Sequence, residues 1–125
     1  MALRLSEAKI KSEHGKQLAE WLGEFKYFTG KRVHIVVNTE EEIRLRIYTA
    51  RNCYGIHAHL KPGEYTYLAC EVSTRAPRPG EDWTRGNDLP DGQFSKELLN
   101  RILGSIVFYE ALEVAKDIRK LSELG

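Results

Sequence analysis

The stretch RVHIVVNTEEEIRLRIYTARNCYGIHAHLKPGEYTYLACEVS, residues 32–73, decides the fold. In four runs within it, apolar side chains alternate with polar, aromatic or charged ones, which is the pattern of half-buried β-strands. Turn-forming residues separate the runs at 38–42, 51–52 and 61–64. The alternation therefore predicts a four-stranded antiparallel meander with one apolar face and one polar face.

The lengths of the turns predict how the strands pair, because the pairing must keep the apolar side chains on one face. A two-residue turn at 51–52 gives the pairs Ile47–Ile56, Leu45–Ala58, Ile43–Leu60, Arg46–His57 and Arg44–His59. An odd loop before the second strand gives Val37–Ile43 and Ile35–Leu45. For the last hairpin, an odd loop or a bulge that sets Ile56 against Leu68 is preferred over a two-residue Pro62-Gly63 turn, which would mix the faces.

The segments on either side of the meander have helical periodicity. Within residues 12–28 the apolar positions recur at three- and four-residue spacings, and Gly30 supplies a stop. Ser95 is an N-cap candidate for a long helix over about residues 96–121. We therefore predict a single α+β domain over residues 1–125, a two-layer sandwich with an N-terminal and a long C-terminal helix on one face of the sheet.

Residues 75–94, between the last strand and the long helix, have no periodicity. The segment contains three prolines, three glycines, three arginines and Trp83. Irregular segments of this length are uncommon in compact domains and are often functional. Prolines, glycines and Arg–Asp pairs would fix the loop structurally, and the alternative is a binding mouth beside the sheet. The structural interpretation is favoured, because no nucleophile–base pair is evident.

Composition limits the class of protein. The 125 residues are 42% hydrophobic and 30% charged, which suits one buried core and excludes a disordered tail or a multidomain enzyme. With 19 Lys+Arg against 18 Asp+Glu, a nucleic-acid or membrane partner would need a local patch. The first residues lack the apolar stretch typical of a secretory signal, so we expect none; no apolar run is long enough to span a membrane, and the two cysteines do not form a secreted scaffold. We predict a cytoplasmic protein without membrane contact, and the few Asn, Gln and Met residues favour a thermophilic source.

The polar face of the predicted sheet, together with the 75–91 loop, is the main candidate site. Arginine forks bind phosphate oxygens and tyrosine rings stack on bases, so this surface suits an anionic ligand or nucleic acid. The ligand-binding candidates are Arg44, Arg46, Tyr48, His57, His59, Tyr67, Arg78, Trp83 and Arg85. The alternative is that the face is solvated or covered by a second copy, as polar faces of antiparallel sheets commonly are.

His57 and His59 would point the same way from one strand, and a metal ion there would need a third ligand such as Glu71. Arg44 and Arg46 on the adjacent strand would repel a cation, so we predict no metal site, and no cofactor is expected. The alternative for the histidines is ordinary surface residues that titrate near neutrality. No phosphate-binding or catalytic motif assigns the chain to a family.

We predict a homo-oligomer, a homodimer or part of a larger assembly, and three functions remain open. The leading one is a non-enzymatic interaction module for an anionic partner. The second is a hydrolase-like enzyme acting on a phosphorylated substrate, with acid–base candidates His57 and His59, partners Asp82 and Asp88, and anion clamps Arg78 and Arg85. The third is a structural self-associating subunit, because the long helix has more apolar surface than one sheet covers.

Overall fold

The computed structural model describes residues 9–25, 32–60, 65–73, 78 and 89–124. The elements in chain order are helix α1 (Glu13–Gly23), strands β1 (Arg32–Asn38), β2 (Glu42–Tyr48), β3 (Cys53–Leu60), β4 (Thr66–Ser73) and β5 (Gly92–Gln93), and helix α2 (Lys96–Leu124). The strands form one antiparallel sheet in the order β1-β2-β3-β4-β5. The α+β class is as predicted, but the sheet has five strands and not four.

The fifth strand lies inside the 75–94 segment, which the sequence predicts to be irregular. Gly92 and Gln93 pair with Leu68 and Tyr67 at the edge of the sheet. Gly92 has a φ of +144°, a conformation that glycine adopts far more readily than other residues. Because a two-residue strand is too short to show alternation, the sequence pattern could not reveal it. Its pairing brings Asp91 beside Tyr67, whose hydroxyl donates a hydrogen bond to the Asp91 carboxylate.

The predicted register of the β2–β3 hairpin is wrong by two residues. The connection spans residues 49–52 and is closed by two hydrogen bonds. The Thr49 N–H donates to the Asn52 carbonyl oxygen at 2.9 Å, and the Asn52 N–H donates to the Thr49 hydroxyl oxygen at 3.0 Å. The observed pairs are Ile47–Tyr54, Arg46–Gly55, Leu45–Ile56, Arg44–His57, Ile43–Ala58 and Glu42–His59. They replace the predicted pairs Ile47–Ile56, Leu45–Ala58, Ile43–Leu60, Arg46–His57 and Arg44–His59.

The β1–β2 pairing contains a bulge that the sequence analysis did not predict. The predicted Ile35–Leu45 pair is confirmed, but the register then shifts between Ile35 and Val37. Val37 consequently lies opposite Arg44 instead of Ile43, the predicted partner. A bulge of this kind leaves one residue of the longer strand unpaired and increases the local twist.

The β3–β4 connection has an odd number of residues, as predicted, but it is longer than the predicted pairing required. Leu60 pairs with Thr66, which sets Ile56 against Cys70 and corrects the predicted Ile56–Leu68 pair. A shift of two residues keeps every side chain on its original face, because side chains alternate with a period of two. The predicted division into an apolar and a polar face therefore survives both register errors.

The apolar face of the sheet packs against both helices. Its buried side chains are Ile43, Leu45, Ile47, Tyr54, Ile56, Ala58, Leu68, Cys70 and Val72. In the same core cluster, α1 contributes Leu18 and Leu22, and α2 contributes Leu99, Ile102 and Ile106. Each fully buried aliphatic side chain contributes about 1.5–3 kcal/mol relative to an exposed one. Among the described residues, both helices therefore cover the same face of the sheet.

The helix boundaries follow from their caps. Ser12 caps α1 by accepting a hydrogen bond from the backbone N–H of Gly15 at 3.0 Å. The helix ends at Gly23, earlier than the predicted span 12–28, because glycine is a poor helix former and the next N–H groups bond only three residues back. Ser95 caps α2 as predicted, since its hydroxyl accepts a backbone N–H at 3.0 Å.

Candidate functional site

The polar face of the sheet, here called the outer face, is a grid of cross-strand rows. One row is His34–Arg46–Gly55–Glu71, the next contains Arg44–His57–Ala69, and the third is Glu42–His59–Tyr67–Gln93. The structure places six predicted site residues on this face: Arg44, Arg46, Tyr48, His57, His59 and Tyr67. Arg78 is exposed and belongs to no strand, and Trp83 and Arg85 lie outside the described residues.

A cleft of about 60 Å³ lies at the centre of the outer face. Gly55 lines it, and a glycine in the middle of a strand leaves empty the space that a side chain would fill. Arg46 and Glu71 flank Gly55 in the same row, while Arg44 and His57 form the adjacent row. The space is roughly that of a few water molecules or one small oxyanion. Three predicted binding residues therefore meet here with two that the prediction left out, the glycine and the glutamate.

The β1 bulge contributes to the same cleft. Val36, the residue at the register shift, lines the cleft together with Arg44 and Arg46 and is 48% exposed. Bulges commonly re-aim a side chain next to a functional site. The signal in the sequence was the pair Val36-Val37, which interrupts the strict alternation of the run.

Arg44 already has an acidic partner on its own strand. Its Nε lies 3.1 Å from Glu42 Oε1, and its Nη2 lies 3.4 Å from Oε2. Ion pairs that reach solvent contribute little, about 0–1 kcal/mol, and in this pair Arg44 is 47% and Glu42 28% exposed, so a stronger anionic ligand would replace the carboxylate at small cost. Together with Glu42, the charged side chains that line the cleft cancel: Arg44 and Arg46 against Glu42 and Glu71.

Three rings lie beside the cleft and are called the ring cluster here: His57, His59 and Tyr67. The two imidazoles are nearly parallel, at 7°, with centroids 5.4 Å apart and Nδ1 atoms 3.4 Å apart. The Tyr67 ring lies 5.3 Å from His59 and 6.0 Å from His57. Its hydrogen bond to Asp91, together with burial, raises the pKa of Tyr67 to about 12, so the hydroxyl remains a donor at neutral pH. The ring cluster offers flat aromatic surface next to the arginines.

His57 is neutral at pH 7. Burial lowers its pKa most, the Arg44 guanidinium and the His59 ring lower it further, and Glu42 opposes them, which leaves a pKa of about 4. The neutral ring has one donor and one acceptor nitrogen. At neutral pH it therefore adds hydrogen-bonding capacity to the cleft without adding charge.

The β3–β4 part of the outer face is more buried than a solvated sheet face would be. Cys53, Ser73 and Ala69 are 1%, 3% and 7% exposed. Cys53 and Cys70 are both free thiols. Burial raises the pKa of each thiol, so neither has the thiolate character of a nucleophile at neutral pH.

The geometry bears on the metal and enzyme interpretations of the two histidines. Within the described residues, no three His, Cys, Asp or Glu side chains are grouped closely enough to hold a metal ion. In the described part of the chain, the ring nitrogen of His57 contacts His59 and not a carboxylate. Asp82 and Asp88, the predicted acid–base partners, lie outside the described residues. The described part of the site therefore contains cationic and aromatic binding groups rather than a histidine–carboxylate pair.

Comparisons with known proteins were made for sequence and for fold. No protein-family model matches the chain, and no match is found among curated proteins or solved structures. Over the part of the chain that the structure describes, no helix is both long and apolar enough to cross a membrane. The function must be inferred from the chemistry of the outer face itself.

Proposed function

We propose that this protein is a binding module for a ligand that carries a phosphate group and an aromatic base, which is a nucleotide unit, free or within single-stranded nucleic acid. The observation that carries the proposal is the cleft at Gly55, which Arg44 and Arg46 both line. Both cysteines are free, which supports the further proposal that the protein works in the reducing cytoplasm.

The cleft supplies what a phosphate needs. Guanidinium groups bind phosphate oxygens through paired, charge-assisted hydrogen bonds, each contributing about 1.5–3 kcal/mol. Gly55 lets a ligand approach the strand more closely than any other residue would. Arg44 is 47% exposed and its ion-pair partner Glu42 is 28% exposed, so solvent weakens that pair and a phosphate competes for the guanidinium on favourable terms.

The ring cluster supplies what a base needs. Aromatic side chains on a sheet face stack bases in single-strand recognition, with about 1–3 kcal/mol for each stacked base. His59 and Tyr67 lie one row along the strands from Arg44 and His57, a separation of roughly 7 Å. The phosphate and the base of one nucleotide would then occupy neighbouring rows of the outer face.

Fluorescence anisotropy with a short labelled oligothymidylate tests the proposal. We expect salt-dependent binding that Arg44→Gln/Arg46→Gln weakens by at least about tenfold. The control is Arg101→Gln/Arg119→Gln, which removes the same charge from exposed positions on α2. Equal losses in the two double variants, or no binding at low salt, would overturn the proposal. Competition by thymidine monophosphate and by sulfate separates a nucleotide ligand from a strand and from a simple anion.

A separate proposal concerns the C-terminal half of α2, which exposes a run of large apolar side chains. These are Phe108, Leu112, Val114, Ile118 and Leu121, between 41% and 69% exposed. Positions 107, 111, 114, 118 and 121 are all apolar and alternate in spacing between four and three, the spacing of helices that pair side by side. We propose that α2 of a second copy of the chain pairs along the stripe formed by positions 107, 111, 114, 118 and 121.

Sedimentation velocity over a range of protein concentrations tests this pairing. We expect a dimer that Ile118→Lys converts to a monomer, because a charge would be buried between the helices. Glu123→Lys introduces the same side chain at an exposed position away from the stripe and should leave the dimer intact. A wild-type chain that remains monomeric at the highest concentration would remove the proposal.

A further inference from the structure

We propose that the cleft takes up its anion together with one proton, and that His57 binds this proton. The inference rests on the proposed function, because it concerns the same cleft and the same phosphate group. The proton is transferred from water or from a buffer acid: the O–H or N–H bond of that donor breaks, and an N–H bond forms on the His57 ring.

The charge balance of the empty cleft carries the inference. Among the described residues, the charges of the two arginines that line it are matched by Glu71 on the far side of Gly55 and by Glu42, which pairs with Arg44. An anion that enters therefore leaves the site with a net negative charge unless a cation is added. Protonation of a neutral imidazole within the cleft restores the balance.

His57 is the group placed to gain the proton. It lines the cleft, whereas the neighbouring His59 does not. With a proton on Nδ1, His57 would donate a hydrogen bond to His59 Nδ1, which lies 3.4 Å away. A hydrogen bond with an ionised donor is stronger than a neutral one, so this bond favours the proton on His57, although the charge of a protonated His59 opposes it.

The same neighbours explain why the proton is absent before the anion binds. The charged and titratable groups around His57 are Glu42, Arg44 and Arg46 on β2, His59 on β3, Tyr67 and Glu71 on β4, Asp91 beside Tyr67, and His34 on β1 beyond Arg46. Burial and the Arg44 charge hold the empty cleft's imidazole neutral. A phosphate next to Arg44 places the opposite charge there, which raises the proton affinity of the ring.

Binding should then depend on pH. Where the pH lies between the pKa values of His57 in the empty and filled cleft, linkage makes the affinity rise by up to about tenfold for each unit of falling pH. Sulfate and a short oligothymidylate are the right probes, because neither titrates near neutrality, unlike a phosphate monoester. We expect both probes to bind more tightly at about pH 6 than at about pH 7.5.

Calorimetry at about pH 6, in two buffers with different heats of ionisation, measures the proton directly. We expect wild-type protein to take up close to one proton for each bound sulfate, and His57→Gln to take up almost none. His34→Gln is the matched control, since this histidine lies on the same face but does not line the cleft. Its proton uptake should equal that of wild type.

The outcomes separate the two proposals. Binding that is independent of pH and takes up no proton overturns the proton linkage and leaves the binding function standing. Proton uptake that persists in His57→Gln also overturns it, because another group would be responsible. No binding of either probe at any pH removes both proposals. If His57→Gln fails to fold, an NMR titration of the wild-type His57 ring decides: its pKa must rise when sulfate saturates the protein, and an unchanged pKa overturns the linkage.

Discussion

Tyr54 on β3 and Glu110 on α2 share a buried hydrogen bond: the tyrosine hydroxyl donates to Glu110 Oε2 at 2.8 Å. Glu110 is 8% exposed and also accepts from Asn52 Nδ2 at 2.7 Å. Burial and the bond to Glu110 raise the pKa of Tyr54, so its hydroxyl stays a donor. Because a buried carboxylate is costly without donors, these two bonds fix the position of α2 over the end of the sheet.

Tyr54→Phe should destabilise the protein. The substitution leaves Glu110 buried with one side-chain donor fewer, so we expect the free energy of unfolding to fall by about 1–3 kcal/mol in urea denaturation. Adding Glu110→Met to Tyr54→Phe should recover part of the loss, because the partly satisfied carboxylate is then gone. A Tyr54→Phe variant as stable as wild type would mean that the bond does not hold α2 in place.

Arg51→Ala should have almost no effect on stability, although Arg51 lies in the 49–52 connection and also contacts α2. Arg51 pairs with Asp117 of α2, but the two side chains are 39% and 48% exposed. Solvent and salt weaken exposed ion pairs of this kind. We expect the urea midpoint to stay within error of wild type, and any small change to vanish at high salt. A loss as large as that of Tyr54→Phe would contradict this ranking.

Gly15→Ala and Gly104→Ala should change stability in opposite directions, although both replace a helical glycine. At Gly15 an added Cβ would lie 2.5 Å from Ser12 Oγ and 2.7 Å from Ile10 Cγ2, so the capping serine or the core must move. We expect a loss of about 1–3 kcal/mol there. At Gly104 nothing lies within 4 Å, and alanine should stabilise the helix by about 0.5–1 kcal/mol. Thermal denaturation of both variants measures the two signs, and a shared sign would refute the expected contrast.

The two faces of the sheet were predictable from sequence, but the pairing of its strands was not. Alternation over residues 32–73 determines which side chains share a face, because the period is two. The register depends instead on the bonds between Thr49 and Asn52 and on the bulge at Val36, neither of which changes the alternation elsewhere. A two-residue error therefore leaves the faces of β2, β3 and β4 correct and their predicted partners wrong. The bulge instead keeps the Ile35–Leu45 pair and places Val37 opposite Arg44.

Which arginines and rings share the outer face was predictable from sequence, but their arrangement around the cleft was not. Arginines and aromatic rings on the polar face follow from alternation, whereas the cleft depends on Gly55, which meets Arg46 only in the observed register. A glycine in mid-strand was the available signal. The Tyr54–Glu110 bond had no signal at all, since the two residues are 56 positions apart and a helical glutamate ordinarily indicates a solvent-facing position.

The low pKa of His57 should make the fold less stable in acid. Its pKa is about 4 in the folded chain, against an ordinary value of 6.5 expected when unfolded. Above pH 6.5 the ring is neutral in both the folded and the unfolded chain, so His57 does not make the free energy of unfolding depend on pH there. Between those two values the unfolded chain binds a proton that the folded chain does not, so the free energy of unfolding falls with pH, by up to about 1 kcal/mol per unit.

Urea denaturation at several pH values between those limits measures this slope. His57→Gln should flatten it, while His34→Gln, on the same face, should keep the wild-type slope. Some slope should remain in His57→Gln, because burial also lowers the pKa of His14, whose ring nitrogen lies 3.1 Å from the Ala58 carbonyl oxygen. If His57→Gln and wild type lose stability in parallel as the pH falls, the acid sensitivity originates elsewhere, and the burial of a neutral His57 does not contribute to it.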